Sequence, residues 1–511
     1  MSEREHDMTG GEPAGPAAPV QEPYSLKRGV ISLPETIAQS VTVMAPAMSG
    51  AFITYLAAIK AGGATPLAFF LAAIACLFIG GVVGEFALHL PSAGSLYTYT
   101  VQGLGSFWGY LTGWGYTFGF MWAGPAVLAG FAVFLSLVMG NLGAPDLLQR
   151  WWLWYFVGLL LYFVLSYFDI RFSTKSQLLF TALTAGALLL LAAIIIGKGG
   201  AHGNTLAAFS PSAAGVTWPL VLAGLSFGIL SFTGFETAAV LAEETRNPRR
   251  NVPVAVIGAV VFGGLFYVIV TYATSIGYGV KEATTEWPAS LGGLQPLAAK
   301  YASYLADWVL LAAALSALFC GLGIHNAVTR TLFAMGREGV LPRALGKTHP
   351  KHQTPHIAIF AYLGIMLILT FGVIWLTSSG TKEALGGGAS PLTDGFYVFT
   401  EGLTFAAPPI MLGYLLLSLA GIRFGSRATQ GKPANPRHVV TAIVALVASG
   451  VAVYGSLYYS FVEAGPGFGI PAPYAIIPWV ILVWLAAGAV IGLSIRSRHR
   501  ETWDRMGAIF E

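Results

Sequence analysis

Apolar positions in this chain come in long blocks, without the alternation of a half-buried strand or the one-sided stripe of a surface helix. After the first 28 residues, apolar stretches of about 18 or more residues recur to the C-terminus, each long enough to cross a hydrocarbon layer ~30 Å thick as a helix. Twelve are read, at about 35–60, 66–89, 105–140, 152–169, 177–197, 217–243, 253–278, 303–334, 356–377, 394–421, 438–461 and 473–495. The stretches between them reach at most about 25 residues, too few for a soluble domain. Inside hydrocarbon a backbone must satisfy its own hydrogen bonds, and nothing here has the dyad pattern of a membrane barrel. The expected class is therefore an all-α integral membrane protein of about twelve transmembrane helices. Residues 1–28, polar and rich in Pro, Gly, Ala and Glu, read as a disordered cytoplasmic tail and not as a signal peptide. Residues 497–511 read as a C-terminal cytoplasmic tail.

Composition narrows the functional classes. Of 511 residues, 55% are hydrophobic and 10% charged, with a mean hydropathy of +0.69. Soluble domains carry roughly a quarter charged residues, so an ordinary cytosolic enzyme is excluded. A net charge of +4 without a long basic block excludes a nucleic-acid partner. Cys76 and Cys320 both lie in apolar runs and make neither a disulfide framework nor a metal site. No G-x-x-x-x-G-K-[ST], G-x-S-x-G or H-E-x-x-H run is present, so no ATP site, catalytic set, metal or other cofactor is expected. The 63 glycines suit closely packed membrane helices.

Orientation follows from the basic residues. With the N-terminus inside, 21 of the 27 Lys and Arg fall on the cytoplasmic side, which puts both termini in the cytoplasm. None of the six asparagines lies in an N-glycosylation sequon, consistent with a bacterial inner membrane.

Two spans carry interruptions. Span 1 contains Met44-Ala45-Pro46-Ala47-Met48-Ser49-Gly50, where Pro46 removes a backbone donor and Gly50 relaxes the chain. Span 6 contains Ser231-Phe232-Thr233-Gly234-Phe235-Glu236-Thr237, a glycine between aromatics and an acid at mid-span. Each alone reads first as a Pro kink or a packing glycine. As a pair in the first and sixth spans, they stand where a five-plus-five inverted repeat places its discontinuous helices. There, half-helix N-termini offer N–H groups and a positive dipole end to a carboxylate, and unwound carbonyls accept from an ammonium.

Three stretches resemble the amino acid–polyamine–organocation superfamily of secondary transporters. The first is Ser231 to Glu236 followed by Glu243-Glu244-Thr245-Arg246-Asn247-Pro248-Arg249-Arg250-Asn251-Val252-Pro253, similar to that family's span-6 segment and its exit loop. The second is Thr329 to Pro342 with Thr354-Pro355, similar to the loop after span 8. The third is Met48-Ser49-Gly50, which aligns with a Gly-Ser-Gly in the family's span 1, Met48 standing where glycine is frequent. The resemblance implies a ten-helix, leucine-transporter-like core over 29–421 (repeats about 35–197 and 217–421), with two peripheral helices over 422–496. It also implies alternating access for an amino acid or a related amine, coupled to protons or to exchange, with polyamine or monoamine exchange as the alternative. Some proton-driven relatives carry a lysine in span 5; Gln177 to Gly197 has none. A channel or a non-transporting sensor is the remaining class, and no repeated filter segment favours it.

The expected substrate contacts are Ala47, Met48, Ser49 and Gly50 in span 1 and Phe232, Thr233 and Gly234 in span 6. Glu236 is the expected proton carrier or ammonium ligand, since charged acids within a span are costly and mark function. Trp114 stands among the glycines and aromatics of span 3, where packing competes with stacking on a substrate ammonium. Glu243, Glu244, Arg249 and Arg250 either stop and restart helices or form an inner gate of ion pairs. His325 and Asn326 in span 8 read as packing polar groups or a relay, and Pro408-Pro409 as a kink in span 10. Expected partners are the bilayer, a small-molecule substrate and a coupling proton; nothing in the sequence sets an oligomeric state.

Overall fold

The computed structural model describes residues 26, 28–92, 94–168, 170–289, 294–378, 391–426, 435–461, 477–504 and 506. The expected N-terminal tail lies outside the described residues except for Leu26 and Arg28.

The apolar blocks are helices. Span 1 is Leu33–Val43 and Thr54–Ala61, joined through one turn at Pro46–Met48 and a π-helical segment at Ser49–Ile53. Spans 2 to 5 are Thr65–His89, Ser106–Asn141, Trp151–Tyr167 and Ile170–Gly197. Span 6 is Trp218–Phe232 continued by a tight 3-10 segment, Phe235–Leu241. Spans 7 to 10 are Pro248–Tyr278, Ala306–Arg337, His356–Ser378 and Pro391–Ser426; spans 11 and 12 are Pro436–Phe461 and Ile477–Arg498. Ten helical runs among the described residues are long and apolar enough to cross a membrane. One of them, the 57-residue run Leu33–His89, holds spans 1 and 2. With the 17-residue span 4 the crossings number twelve. The described residues contain no strand, only one isolated parallel bridge between Ile31 and Thr245.

Packing follows a rule of n and n + 5. Span 2 lies along span 7 and span 3 along span 8, while span 3 meets span 10 as span 8 meets span 5. This is the pattern of a five-plus-five inverted repeat: exchanging the two halves returns the 2–7 and 3–8 pairs to themselves and turns the 3–10 pair into the 8–5 pair. Spans 11 and 12 sit outside, span 11 against spans 2 and 10 and span 12 against span 3. Span 5 begins at Ile170, a turn or more before the expected start, and so takes in Lys175; that side chain is exposed.

Part of the stretch expected as a C-terminal tail, residues 497–504 and 506, is described. After span 12 a short helix, Arg500–Asp504, turns back, and Trp503 and Met506 are buried against Tyr97, Tyr110, Met335 and Val340.

Candidate functional site

The two breaks face each other. In span 1 the first half ends at Val43, and Ala45 adopts a left-handed conformation (φ 47°), costly for a residue with a Cβ. The interruption therefore falls at Met44-Ala45, ahead of Pro46. Pro46 opens the next turn, where its missing N–H is harmless. The Met44 carbonyl freed by the break accepts from the Tyr267 hydroxyl of span 7 at 2.8 Å and from Ser49 Oγ at 3.0 Å.

In span 6, Thr233 leaves the helix and Gly234 takes φ 106° against Val43 of span 1. A side chain at Gly234 would be both strained and driven into Val43, so glycine is required there. Ser40 ties the two breaks: its hydroxyl donates to the Phe235 carbonyl at 2.5 Å and accepts from the Ala238 N–H at 2.9 Å.

Between the breaks lies a cavity of about 50 Å³, room for a few waters at roughly 10–15 Å³ each. Its polar edge is the Met44-Ala45 stretch with the side chains of Ser49 and Thr233. The Thr233 hydroxyl is buried and has no partner. The remaining wall is apolar: Met48 and Ile53 of span 1, Phe120 of span 3, Ile324 of span 8, Leu403 and Ile410 of span 10. No acidic or basic side chain lines it.

Of the expected substrate contacts, Met48, Ser49 and Thr233 line this cavity; Ala47, Gly50, Phe232 and Gly234 do not. Gly50 faces Leu188 and Phe266, and Phe232 packs edge-on against Tyr267 with ring centres 5.3 Å apart. Trp114 points away altogether. It stacks on Trp484 of span 12 at 4.6 Å, each indole N–H donating to the other's carbonyl, and Gly488 makes the room. The aromatics of span 3 at this level serve helix packing.

Glu236 is wholly buried, yet it is not in the cavity wall. Its Oε1 accepts from the Tyr116 hydroxyl of span 3 at 2.7 Å, and Oε2 from the Tyr414 hydroxyl of span 10 at 2.8 Å and the Gly234 N–H at 3.1 Å. All three donors are neutral. The carboxyl holds the broken segment to two other spans instead of presenting itself to a substrate ammonium.

The acids at the exit of span 6 pair differently from expectation. Glu244 receives the Arg330 guanidinium at 2.8 and 3.2 Å, both side chains essentially inaccessible, and Glu243 receives that of Arg337 at 2.7 and 3.0 Å. Arg249 and Arg250 are exposed. The left-handed Asn247 and the helix restart at Pro248 turn them away from the two acids. The same exit is bonded to the segment before span 1: Val30 and Ile31 N–H donate to the Glu244 carbonyl, and Arg246 N–H donates to the Ile31 carbonyl. Sequence reasoning passed over Arg330 and Arg337, although arginines seven apart on a spanning helix share a face and require two anionic partners. Tyr414 carried no such signal, since a tyrosine six positions past Pro408 is common in any packed span.

Comparison with known proteins decides the family. An amino acid permease profile matches residues 31–486, nearly all of the chain. The chain belongs to the amino acid permease family. As a member of the amino acid–polyamine–organocation superfamily it is a secondary transporter, and its multi-pass membrane character follows. The branched-chain amino acid permease BcaP of Bacillus subtilis is 28% identical over 63% of this chain and 70% of its own. The low-affinity putrescine importer PlaP of Escherichia coli is also 28% identical, over 62% and 69%. Among solved structures, a manganese transporter of Eremococcus coleocola covers 92% of this permease and 94% of itself with a TM-score of 0.53. At 11% identity that likeness shows the fold alone.

Proposed function

We propose that this permease moves α-amino acids with small apolar side chains across a bacterial plasma membrane by alternating access. The observation that carries the reading is the two-sided cavity. Main-chain groups of the span-1 break with the Ser49 and Thr233 hydroxyls form the end for a substrate's ammonium and carboxylate. Phe120, Ile324, Leu403 and Ile410 form the end for an aliphatic side chain. Burying such a side chain contributes about 1.5–3 kcal/mol. A diamine would bring a second cation to a wall without any acid, at a cost of several kcal/mol. Between the readings offered by the two relatives, the lining therefore favours that of the branched-chain amino acid permease over that of the putrescine importer.

The excess of Lys and Arg on one side favours both termini in the cytoplasm. In that orientation the Glu244–Arg330 and Glu243–Arg337 pairs are the inner gate, closed in this conformation. Glu236 is the group we assign to the coupled proton. It accepts only from neutral donors, so gaining a proton displaces one of the Tyr116, Tyr414 or Gly234 hydrogen bonds and loosens span 6. Spans 1 and 6 would then move together around the cavity.

Uptake into proteoliposomes tests the reading. Valine, leucine or isoleucine should accumulate against a gradient, faster with an inward proton gradient, and putrescine should neither accumulate nor compete. Accumulation of putrescine, with no effect of the branched-chain amino acids, would reverse the assignment.

A further inference from the structure

A second cavity, bordered by charge, lies at the end of span 12, away from the residues that line the transport site. It measures about 480 Å³ and is lined by Leu493, Arg496, Ser497, Arg500, Trp503 and Asp504. Arg496 and Arg500 are exposed and make no ion pair or hydrogen bond among the described residues; the same holds for Asp504. Two guanidiniums, a hydroxyl and one carboxylate thus border a space that Leu493, half exposed and a turn earlier on the apolar span 12, also lines.

We propose that this cavity binds the headgroup of a phospholipid of the adjoining leaflet, and that the headgroup is phosphoethanolamine. Arg496 and Arg500 supply the donors that a phosphodiester accepts, guanidinium geometry being suited to phosphate, while the Ser497 hydroxyl donates to the Ser494 carbonyl at 3.0 Å and leaves its oxygen to accept from an ammonium. Asp504 supplies the acceptor for an ammonium that can donate hydrogen bonds. Leu493, a turn earlier on the helix, meets the start of the acyl chains. The site's charge complements a phosphate with an adjacent primary ammonium better than a phosphate alone, because Asp504 would repel a second anionic group.

The occupant has a structural task. Trp503 borders the cavity and is also packed into the cluster with Tyr97, Tyr110 and Met335. Tyr97 in turn donates to Glu338 just after span 8, at 2.5 Å. A headgroup held by Arg496 and Arg500 therefore steadies the short helix Arg500–Asp504 over the ends of spans 3 and 8. This does not depend on which substrate the permease carries.

The test is the thermal melting of full-length permease in detergent supplemented with single lipids. Phosphatidylethanolamine should raise the melting temperature by several degrees, and phosphatidylcholine, with the same net charge but no donor on its ammonium, by much less. The double substitution Arg496→Gln/Arg500→Gln should remove the rise. Asp504→Asn should reduce the phosphatidylethanolamine response to the phosphatidylcholine level. A control pair on exposed residues of the loop after span 8, Arg343→Gln/Lys347→Gln, should keep the full response. Equal responses to the two lipids, or a full response in the Arg496/Arg500 variant, would overturn the proposal. So would loss of the response in the control pair, or an equal rise with inorganic phosphate or soluble phosphoethanolamine.

Discussion

Glu236 in the broken span 6 and Glu244 at its exit are both shut away from solvent, and they differ in what faces them. Glu244 has a guanidinium at its side, with 0% exposure for Arg330 and 1% for Glu244. Glu236 has two phenol hydroxyls and one backbone N–H. A carboxylate paired with arginine keeps its charge, and its loss strands the partner. A carboxyl among neutral donors exchanges a proton for a hydrogen bond without stranding any charge. Burial is common to both; the partner decides which is a fixed latch and which is free to titrate.

Breaking the latch should have the largest effect. Arg330→Met leaves the Glu244 carboxylate buried and uncompensated, at about 3–5 kcal/mol, read as lost yield and a much lower melting temperature. Adding Glu244→Gln should restore most of it, since both charges are then gone. If Arg330→Met melts like the parent protein, the two acids are not different in kind.

Glu236→Gln comes next and separates transport from stability. The amide keeps the shape but offers the two tyrosines only one acceptor oxygen, at about 1–3 kcal/mol. Uptake should lose its dependence on an imposed proton gradient, while exchange of substrate for substrate persists. Gradient-driven uptake equal to the parent's would remove Glu236 from coupling. Tyr414→Phe sharpens the same point by taking away one donor and leaving the acid: a loss of about 1 kcal/mol, with the pH profile of uptake displaced but not abolished. Smallest is Glu243→Gln, which weakens a partly accessible pair with Arg337 by about 0.5–1 kcal/mol. Its expected signature is faster labelling, from the cytoplasmic side, of a cysteine placed beside Ser49, with folding unchanged.

Length and hydropathy were enough to set out twelve crossings, because a backbone in lipid has few options and long apolar blocks are hard to mistake. The break in span 6 was legible for a local reason: Gly234 between aromatics tolerates the positive φ that the turn needs. The interrupted stretch of span 1, Met44 to Gly50, was legible too, but not which of its residues takes the unusual backbone. Pro46 drew attention to itself, whereas the strained residue is Ala45, beside a turn, Pro46–Met48, that packs against spans 5, 7 and 8, neighbours that a linear reading does not contain. The partners of the acids were misread for a related reason. Arg249 and Arg250 are near Glu243 and Glu244 in sequence, but Arg330 and Arg337 are near them in space, and only the turn at Asn247 decides between them. Trp114 answers to a glycine in span 12, which no local pattern announces.

The hydroxyl of Ser40 has a consequence for how the permease is made. Its partners, the Phe235 carbonyl and the Ala238 N–H, follow it by nearly 200 residues, the first by 195. At roughly 5–20 residues per second, span 1 waits about 10–40 s after its own synthesis before span 6 exists to receive it. Through that interval the Ser40 hydroxyl lacks both of these partners, and the Met44 carbonyl has only Ser49 of its own span, without Tyr267. The nascent helix must shelter them beside the insertion machinery or in the headgroup layer until the second half arrives. Substitutions that leave the finished protein undisturbed, but shorten or lengthen that wait, should alter how much permease reaches the membrane without altering how fast each molecule works.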